Sequence, residues 1–160
     1  MKAFKVIIML CVALSLFGCK KKIVDPEGTI SLNMRNSDYG NTRLELNAPD
    51  GHFFCHIHIN NANNFSRDDS WEYYSCEVHF CQVDVDCLGD ITTIPSSGWS
   101  QSVAVSPGDG YIVRIKCTSN DSEYKGQTYY CRIYVTSWTQ SAVNNGIIGA
   151  EIKYQYPMPL

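Results

Sequence analysis

The chain has 160 residues, of which 44% are hydrophobic, and its 13 lysines and arginines against 16 aspartates and glutamates give a net charge of −3. That length suits a single domain with its own core. The slightly acidic balance and the lack of a basic stripe argue against a nucleic-acid partner. After the first segment, no apolar run in the sequence is long enough to span a bilayer.

The N-terminal segment has the pattern of a secretory signal. Lys2 and Lys5 precede twelve uncharged residues, Val6 to Phe17, which predicts a signal peptide over residues 1–18. Leu16-Phe17-Gly18-Cys19 is similar to a lipobox, so we expect cleavage before Cys19 and diacylation of its side chain. Each buried methylene of an acyl chain contributes about 0.8 kcal/mol, so the lipid would hold the domain to a membrane.

Residues 19–28 are predicted to be a short flexible tether. Three lysines, Lys20 to Lys22, follow the anchor, and Asp25, Pro26 and Gly28 complete a stretch with little apolar content. By analogy with other lipoproteins, a lysine next to the lipidated cysteine favours the outer membrane, with the periplasmic and surface-exposed faces both left open. Cleavage would leave 11 basic and 16 acidic residues, a net charge of −5.

Residues 29–160 are predicted to form a single all-β domain, because apolar residues alternate with period two along it. Seven to nine short strands separated by turn signals favour an antiparallel β-sandwich or an open barrel. The predicted strands cover residues 29–36, 42–46, 52–59, 73–87, 101–105, 111–118, 128–136 and 147–156.

Two polar segments and one change in the apolar alternation lead to further predictions. The segments 60–71 and 137–146 are rich in Asn, Ser and other polar residues, and we expect both to be loops. Within 73–87 the apolar phase slips, since Phe80 and Cys81 follow opposite parities. A bulge near Phe80-Cys81 would reconcile the two halves.

Six cysteines lie in the domain, and an even number in an exported domain favours disulfides. A hairpin centred near Tyr124 would place Cys117 opposite Cys131, which favours that pair. Cys55 would then pair with one of Cys76, Cys81 and Cys87. The remaining two pair only if the chain reverses between 76 and 87. The alternative is that the cysteines are buried thiols that act as small apolar residues.

Few other residues indicate chemistry. His52, His56 and His58 share one strand face, and imidazoles at this spacing bind Zn²⁺ or Cu²⁺. We favour the alternative of solvent-facing polar residues on an outer sheet face, because no fixed fourth ligand is evident. Residues 98–102 lack the final glycine of a nucleophile elbow. We therefore predict no catalytic residues and no cofactor.

Three tryptophans, Trp71, Trp99 and Trp138, lie in or beside predicted loops. Exposed aromatic rings there would stack on sugars or anchor a protein partner. The alternative is that they cover the open ends of a sandwich, which we favour for Trp99 because it follows a Pro-Ser-Ser-Gly turn.

Several segments in order resemble a family of small lipoproteins from Bacteroides-type gut bacteria whose domain has no known function. They are Gly28–Asn36, Asn60–Phe65, Leu88–Ile91, Ile94-Pro95, Ser97–Trp99, Gly108–Arg114, Arg132–Val135 and Gly146–Gln155. The resemblance implies the envelope address and a compact β-rich domain, and supplies no catalytic residues. The family pattern is not cysteine-rich around 76–87, so disulfides there would be a local elaboration.

Together these features predict an envelope-anchored, non-catalytic binding or interaction module for a glycan or a protein partner. The alternative is a structural or adhesin-type subunit that assembles through exposed sheet edges. An enzyme is the least favoured reading. The oligomeric state is left open.

Overall fold

The computed structural model describes residues 24–36, 42–47, 54–68, 76–118, 120 and 123–159. The predicted signal peptide, Cys19 and residues 20–23 of the predicted tether lie outside these residues. No helix in the described part of the chain is long and apolar enough to cross a membrane.

Nine strands and a one-turn 3-10 helix, Leu88–Asp90, make up the described structure. The strands are β1 (Ile30–Arg35), β2 (Leu44–Asn47), β3 (Phe54–Ile59), β4 (Asn64–Arg67), β5 (Cys76–Val83), β6 (Ser102–Ala104), β7 (Gly110–Cys117), β8 (Thr128–Gln140) and β9 (Ile147–Gln155). They form a five-stranded sheet of order β1-β9-β8-β7-β5 and a four-stranded sheet of order β2-β3-β4-β6. All neighbouring strands in both sheets are antiparallel.

The two sheets bury their facing apolar side chains in one main core. Phe65 of β4 lies at its centre, with its ring centroid 6.2 Å from that of Phe80 and 5.1 Å from that of Tyr111. All three side chains are fully buried. The all-β prediction is confirmed, and the two separate sheets identify the sandwich as the correct alternative.

The predicted loop over 60–71 is wrong at residues 64–67, which form β4, and residues 69–71 lie outside the described part of the chain. Asn60 accepts hydrogen bonds at Oδ1 from the amides of Ala62 and Asn64 (both 3.0 Å), and Asn63 adopts a left-handed conformation with φ 58°. The asparagines therefore make a tight turn. Burial of Phe65 then holds the following residues as a strand. The predicted loop at 137–146 also begins late, because β8 continues to Gln140.

The predicted bulge near Phe80-Cys81 is wrong as well. The register between β5 and β7 runs without a break from Cys76 opposite Cys117 to Val83 opposite Gly110. Cys81 is nevertheless buried, because the outer face of this sheet is covered too. An outer cluster of Leu88, Ile91, Ile112 and Met158 packs there. Apolar residues at both odd and even positions of this strand are therefore explained by burial on the two faces of the sheet, and no bulge is needed.

The predicted disulfide between Cys117 and Cys131 does not match the register. In the β7–β8 hairpin, Cys131 lies opposite Val113, whereas Cys117 is bonded to the end of the turn, with its amide donating to the Gln127 carbonyl at 3.0 Å. The offset of four residues corresponds to about 13 Å along the strand, which exceeds the span of a disulfide. The six described cysteines are all buried, and none of them forms a disulfide bond.

Candidate functional site

A groove of about 540 Å³, which we call the edge groove, opens on the surface of the described structure. It lies where β5, at the edge of the five-stranded sheet, faces β4 and the start of β6. It is lined by Ser66, Arg67, Glu77, Val78, His79 and Gln101.

The edge groove exists because the segment before β6 crosses from one sheet to the other. Ser100 pairs with Phe80 of β5 through two backbone hydrogen bonds of 2.7 and 2.9 Å. Two residues later, Ser102 pairs with Ser66 of β4. Gln101 lies between these two attachments and so reaches the groove.

Two hydroxyl groups fix this crossing segment. Ser100 donates through Oγ to the Ser102 carbonyl at 2.6 Å, and Ser102 donates through Oγ to the Phe65 carbonyl at 3.0 Å. The groove wall is therefore held by both side-chain and backbone hydrogen bonds.

Arg67 closes the other end of the edge groove. Its Nη1 donates to the Cys76 carbonyl at 2.6 Å and so connects β4 of one sheet with the first residue of β5 in the other. The Arg67 side chain is half-buried. A charged donor held in this way is ordered before any ligand arrives, which lowers the entropic cost of binding.

The lining combines both signs of charge with neutral hydrogen-bonding groups. Glu77 and Gln101 are exposed, whereas Ser66 and His79 are half-buried. The residues that line the groove carry a carboxylate, a guanidinium, an imidazole, an amide and a hydroxyl group, and Val78 is the one apolar residue among them. Such a set of donors and acceptors is suited to recognise a polar ligand.

The backbone of Val78 adds to this set. Phe80 directs its amide and carbonyl away from β7 and towards Ser100. Backbone groups two residues apart on a strand point to the same side, so those of Val78 face the groove rather than β7. Within the part of the chain that the structure describes, no strand pairs with the edge of β5 at Val78, and this edge lies next to the polar side chains.

Two of the three tryptophans predicted as binding residues, Trp99 and Trp138, pack against the sheets. Trp99 packs against the outer cluster, donates through Nε1 to the Pro95 carbonyl at 3.1 Å, and carries the Arg114 guanidinium 4.6 Å from its ring centroid. Trp138 is partly buried against the main core. Trp71 lies outside the described residues, so its role stays a prediction.

The histidines predicted as metal ligands lie on the outer face of the four-stranded sheet. His56 Nε2 is 3.7 Å from the Glu45 carboxylate, and His58 Nδ1 is 3.9 Å from that of Asp68. His52 lies outside the described residues. Within the described part, no three histidine, cysteine or acidic side chains are placed to hold a metal ion, and we do not propose one.

Sequence reasoning missed the edge groove. Its residues come from β4, β5 and the segment before β6, and no motif links them. The sequence signal closest to it is the polar parity of β5, where Glu77 and His79 alternate with buried residues.

Searches against protein-family models, curated proteins and solved structures each gave no match for this chain. The resemblance to a lipoprotein family therefore stays a prediction.

Proposed function

We propose that this chain is a lipoprotein anchored through Cys19 to the outer membrane, and that its β-sandwich is a non-catalytic binding module for a glycan. The edge groove carries the second part of this proposal. The signal-like segment before Cys19 supports the first.

A glycan fits the edge groove because the lining is polar and varied. Sugar hydroxyl groups both donate and accept hydrogen bonds, and the groove offers acceptors at Glu77 and donors at Arg67 within one concavity. An apolar ligand would cover the Glu77 carboxylate without offering it a hydrogen bond, and a polar group buried in this way costs about 1–3 kcal/mol. We propose the residues of the edge groove as the binding site, with hydrogen bonding rather than aromatic stacking as the main contribution.

A glycan array screened with the membrane-extracted protein in detergent tests the binding proposal. We expect specific signals that weaken about tenfold in affinity for Gln101→Ala, since one hydrogen bond contributes about 1 kcal/mol or slightly more. Gln140→Ala is the matched control, because Gln140 is also exposed but lies at the end of β8. Equal affinity of both variants, or a blank array with folded protein, would contradict the proposal.

The anchor is tested separately by metabolic labelling with a radioactive fatty acid. We expect label on the wild-type protein, none on Cys19→Ser, and recovery of the wild-type protein in the outer-membrane fraction. Labelling that persists in Cys19→Ser would overturn the assignment of the anchor without touching the binding proposal.

A protein partner is the second candidate, and the edge of β5 favours it. An extended peptide adds to an exposed strand edge through backbone hydrogen bonds, and the Val78 backbone faces the groove. In that case Gln101→Ala would leave binding intact, because the contacts would be made by the main chain. Concentration-dependent oligomers in solution would instead favour assembly of this chain through its sheet edges.

A further inference from the structure

Cys76 and Cys117 lie directly opposite each other on neighbouring strands. Cys76 is the first residue of β5, Cys117 is the last residue of β7, and the antiparallel register pairs them. In the register of the described strands, this is the one pair in which both residues are cysteines. Both side chains are almost fully buried in the main core, so they share the inner face of the five-stranded sheet.

The backbone hydrogen bonds of the two residues show which kind of cross-strand pair they form. The Cys117 amide donates to the Gln127 carbonyl at 3.0 Å, and its carbonyl accepts from the Gly126 amide at 2.8 Å. Both groups therefore face away from β5. The Cys76 carbonyl in turn accepts from Arg67 Nη1 at 2.6 Å, which lies on β4 of the other sheet. Cys76 and Cys117 are thus a non-hydrogen-bonded pair.

The pairing of Phe80 gives the same phase for β5 independently. Phe80 exchanges backbone hydrogen bonds of 2.7 and 2.9 Å with Ser100, which lies on the side of β5 away from β7. Backbone groups an even number of residues apart on a strand point to the same side. Cys76 is four residues before Phe80, so its backbone also points away from β7.

A non-hydrogen-bonded pair has the geometry that a disulfide requires. In antiparallel sheets the Cα atoms of such a pair are about 4.5 Å apart, and the side chains lie closer than in hydrogen-bonded pairs. A disulfide joins Cα atoms that are about 4.4–6.8 Å apart. The register therefore places Cys76 and Cys117 within reach of a disulfide bond.

We propose that Cys76 and Cys117 form a disulfide bond when the chain folds under oxidising conditions. The bond would fasten the start of β5, which forms one wall of the edge groove, to β7. This pairing goes beyond the proposed binding function and rests on the fold alone. Export of the chain, as proposed above, would supply an oxidising compartment.

With oxidised glutathione as the oxidant, the reaction is a balanced double exchange. The thiolate of one cysteine attacks the glutathione disulfide and releases one glutathione thiolate. The thiolate of the second cysteine then attacks the mixed disulfide and releases the other glutathione, and the two cysteine protons pass to the released glutathione. Because both cysteines are buried in the folded domain, we expect the bond to form during folding, while solvent still reaches them.

The other cysteines of the described structure are placed differently. Cys55 lies on β3 of the four-stranded sheet, and Cys131 lies opposite Val113. Cys81 has the opposite parity on β5 and points to the outer face of the sheet. Cys87 lies after the end of β5. We expect these four cysteines to remain thiols.

The test is refolding of the full chain from denaturant in a mixture of reduced and oxidised glutathione, followed by alkylation and digestion with trypsin and a glutamyl endopeptidase. Cleavage at glutamate, lysine and arginine isolates Cys76 in residues 73–77 and Cys117 in residues 117–123. We expect these two peptides to be linked. A link from residues 73–77 to any other cysteine peptide, or alkylation of both Cys76 and Cys117, would overturn the proposal.

The thermal midpoint provides a second readout, measured for each variant before and after reduction. A disulfide that closes a loop of about 40 residues is expected to raise the midpoint by on the order of 10 °C relative to the reduced protein. Cys76→Ala and Cys117→Ala should each abolish this difference. The matched variant Cys131→Ala, in the same core, should keep it. A difference that survives in Cys76→Ala or in Cys117→Ala would assign the bond elsewhere.

Discussion

Both faces of the five-stranded sheet carry buried side chains, but the two faces are built differently. On the inner face, Tyr111, Val113 and Ile115 of β7 pack against the four-stranded sheet in the main core. On the outer face, Ile112 packs against residues of the segment that follows β5 and against Met158. One face is covered by a second sheet and the other by irregular chain.

This difference shows how irregular chain covers a sheet. The outer cover depends on polar anchors, above all Arg132, which is buried and donates through Nη1 to the Ile91 carbonyl and through Nε to Gln155 Oε1, both at 2.8 Å. Burial lowers the pKa of Arg132, while the nearby Cys87 thiol acts in the opposite direction. The inner face instead depends mainly on apolar packing.

Truncation of one large side chain on each face should give the largest effects. Phe80→Ala in the main core is expected to lower the free energy of unfolding by about 3–5 kcal/mol, and Leu88→Ala in the outer cluster by about 2–3 kcal/mol, because irregular chain collapses onto a cavity more easily than paired strands do. Urea unfolding measures both. A loss for Leu88→Ala that equals or exceeds that for Phe80→Ala would contradict the distinction.

Removal of the polar anchor should give the next largest effect. Arg132→Met leaves the buried Ile91 carbonyl without its donor, and we expect a loss of about 1.5–3 kcal/mol. The control is Arg114→Met on the same face, where a half-buried arginine lies over Trp99. Arg114→Met should lower the free energy of unfolding by about 1 kcal/mol or less. Equal losses of stability in both variants would show that the hydrogen bonds of Arg132 do not contribute more than the ring contact of Arg114.

A single hydroxyl group tests the polar content of the inner face. Tyr111 donates through its hydroxyl to the Ala104 carbonyl and accepts from the Ser106 amide, both at 2.9 Å. Tyr111→Phe should cost about 1–2 kcal/mol. Tyr134→Phe, on the partly buried outer side, should change stability by about 0.5 kcal/mol or less. A neutral Tyr111→Phe would mean that water satisfies both backbone groups.

The pH dependence of the reduced protein should also reflect the inner face. Burial raises the pKa of the Cys131 thiol and raises that of Tyr111 to about 12. The folded state then holds protons that the unfolded state has lost, so stability is fully present below the unfolded pKa and falls as pH rises above it. We expect the thermal midpoint to fall from about pH 9 upwards, less steeply in Cys131→Ala. A midpoint that stays constant to pH 11 would contradict this.

The strands were largely predictable because alternation marks them directly, as in Tyr111, Val113 and Ile115. The alternation of apolar residues does not mark a strand correctly where turn-forming residues precede it, or where both faces of the strand are buried. Phe65 follows a run of asparagines, whose preference for turns led to the prediction of a loop where β4 lies. Cys81 points to the outer face of the sheet and is buried there because the outer cluster packs against that face. The register of the β7–β8 hairpin depends on the turn between Cys117 and Thr128. The prediction assumed a hairpin centred near Tyr124, which would place Cys117 opposite Cys131, whereas the observed register places Val113 opposite Cys131.

The candidate site was not predictable, for a physical reason. Arg67, Glu77 and Gln101 meet because the chain crosses between sheets at Ser100, and this crossing depends on two backbone hydrogen bonds that any residue type can form. The tryptophans were the clearest candidates for binding in the sequence. In the structure, Trp99 and Trp138 pack against the sheets instead.

The measurement that tests the central proposal most directly is a titration of the isotope-labelled protein with the glycan that gives the strongest array signal, followed by backbone amide chemical shifts. We predict that the largest shift changes fall on Glu77, Val78, His79 and Gln101, with small changes at the end of β8. Shift changes that cluster around Trp99 or Trp138, or no change at saturating glycan, would contradict a binding site in the edge groove.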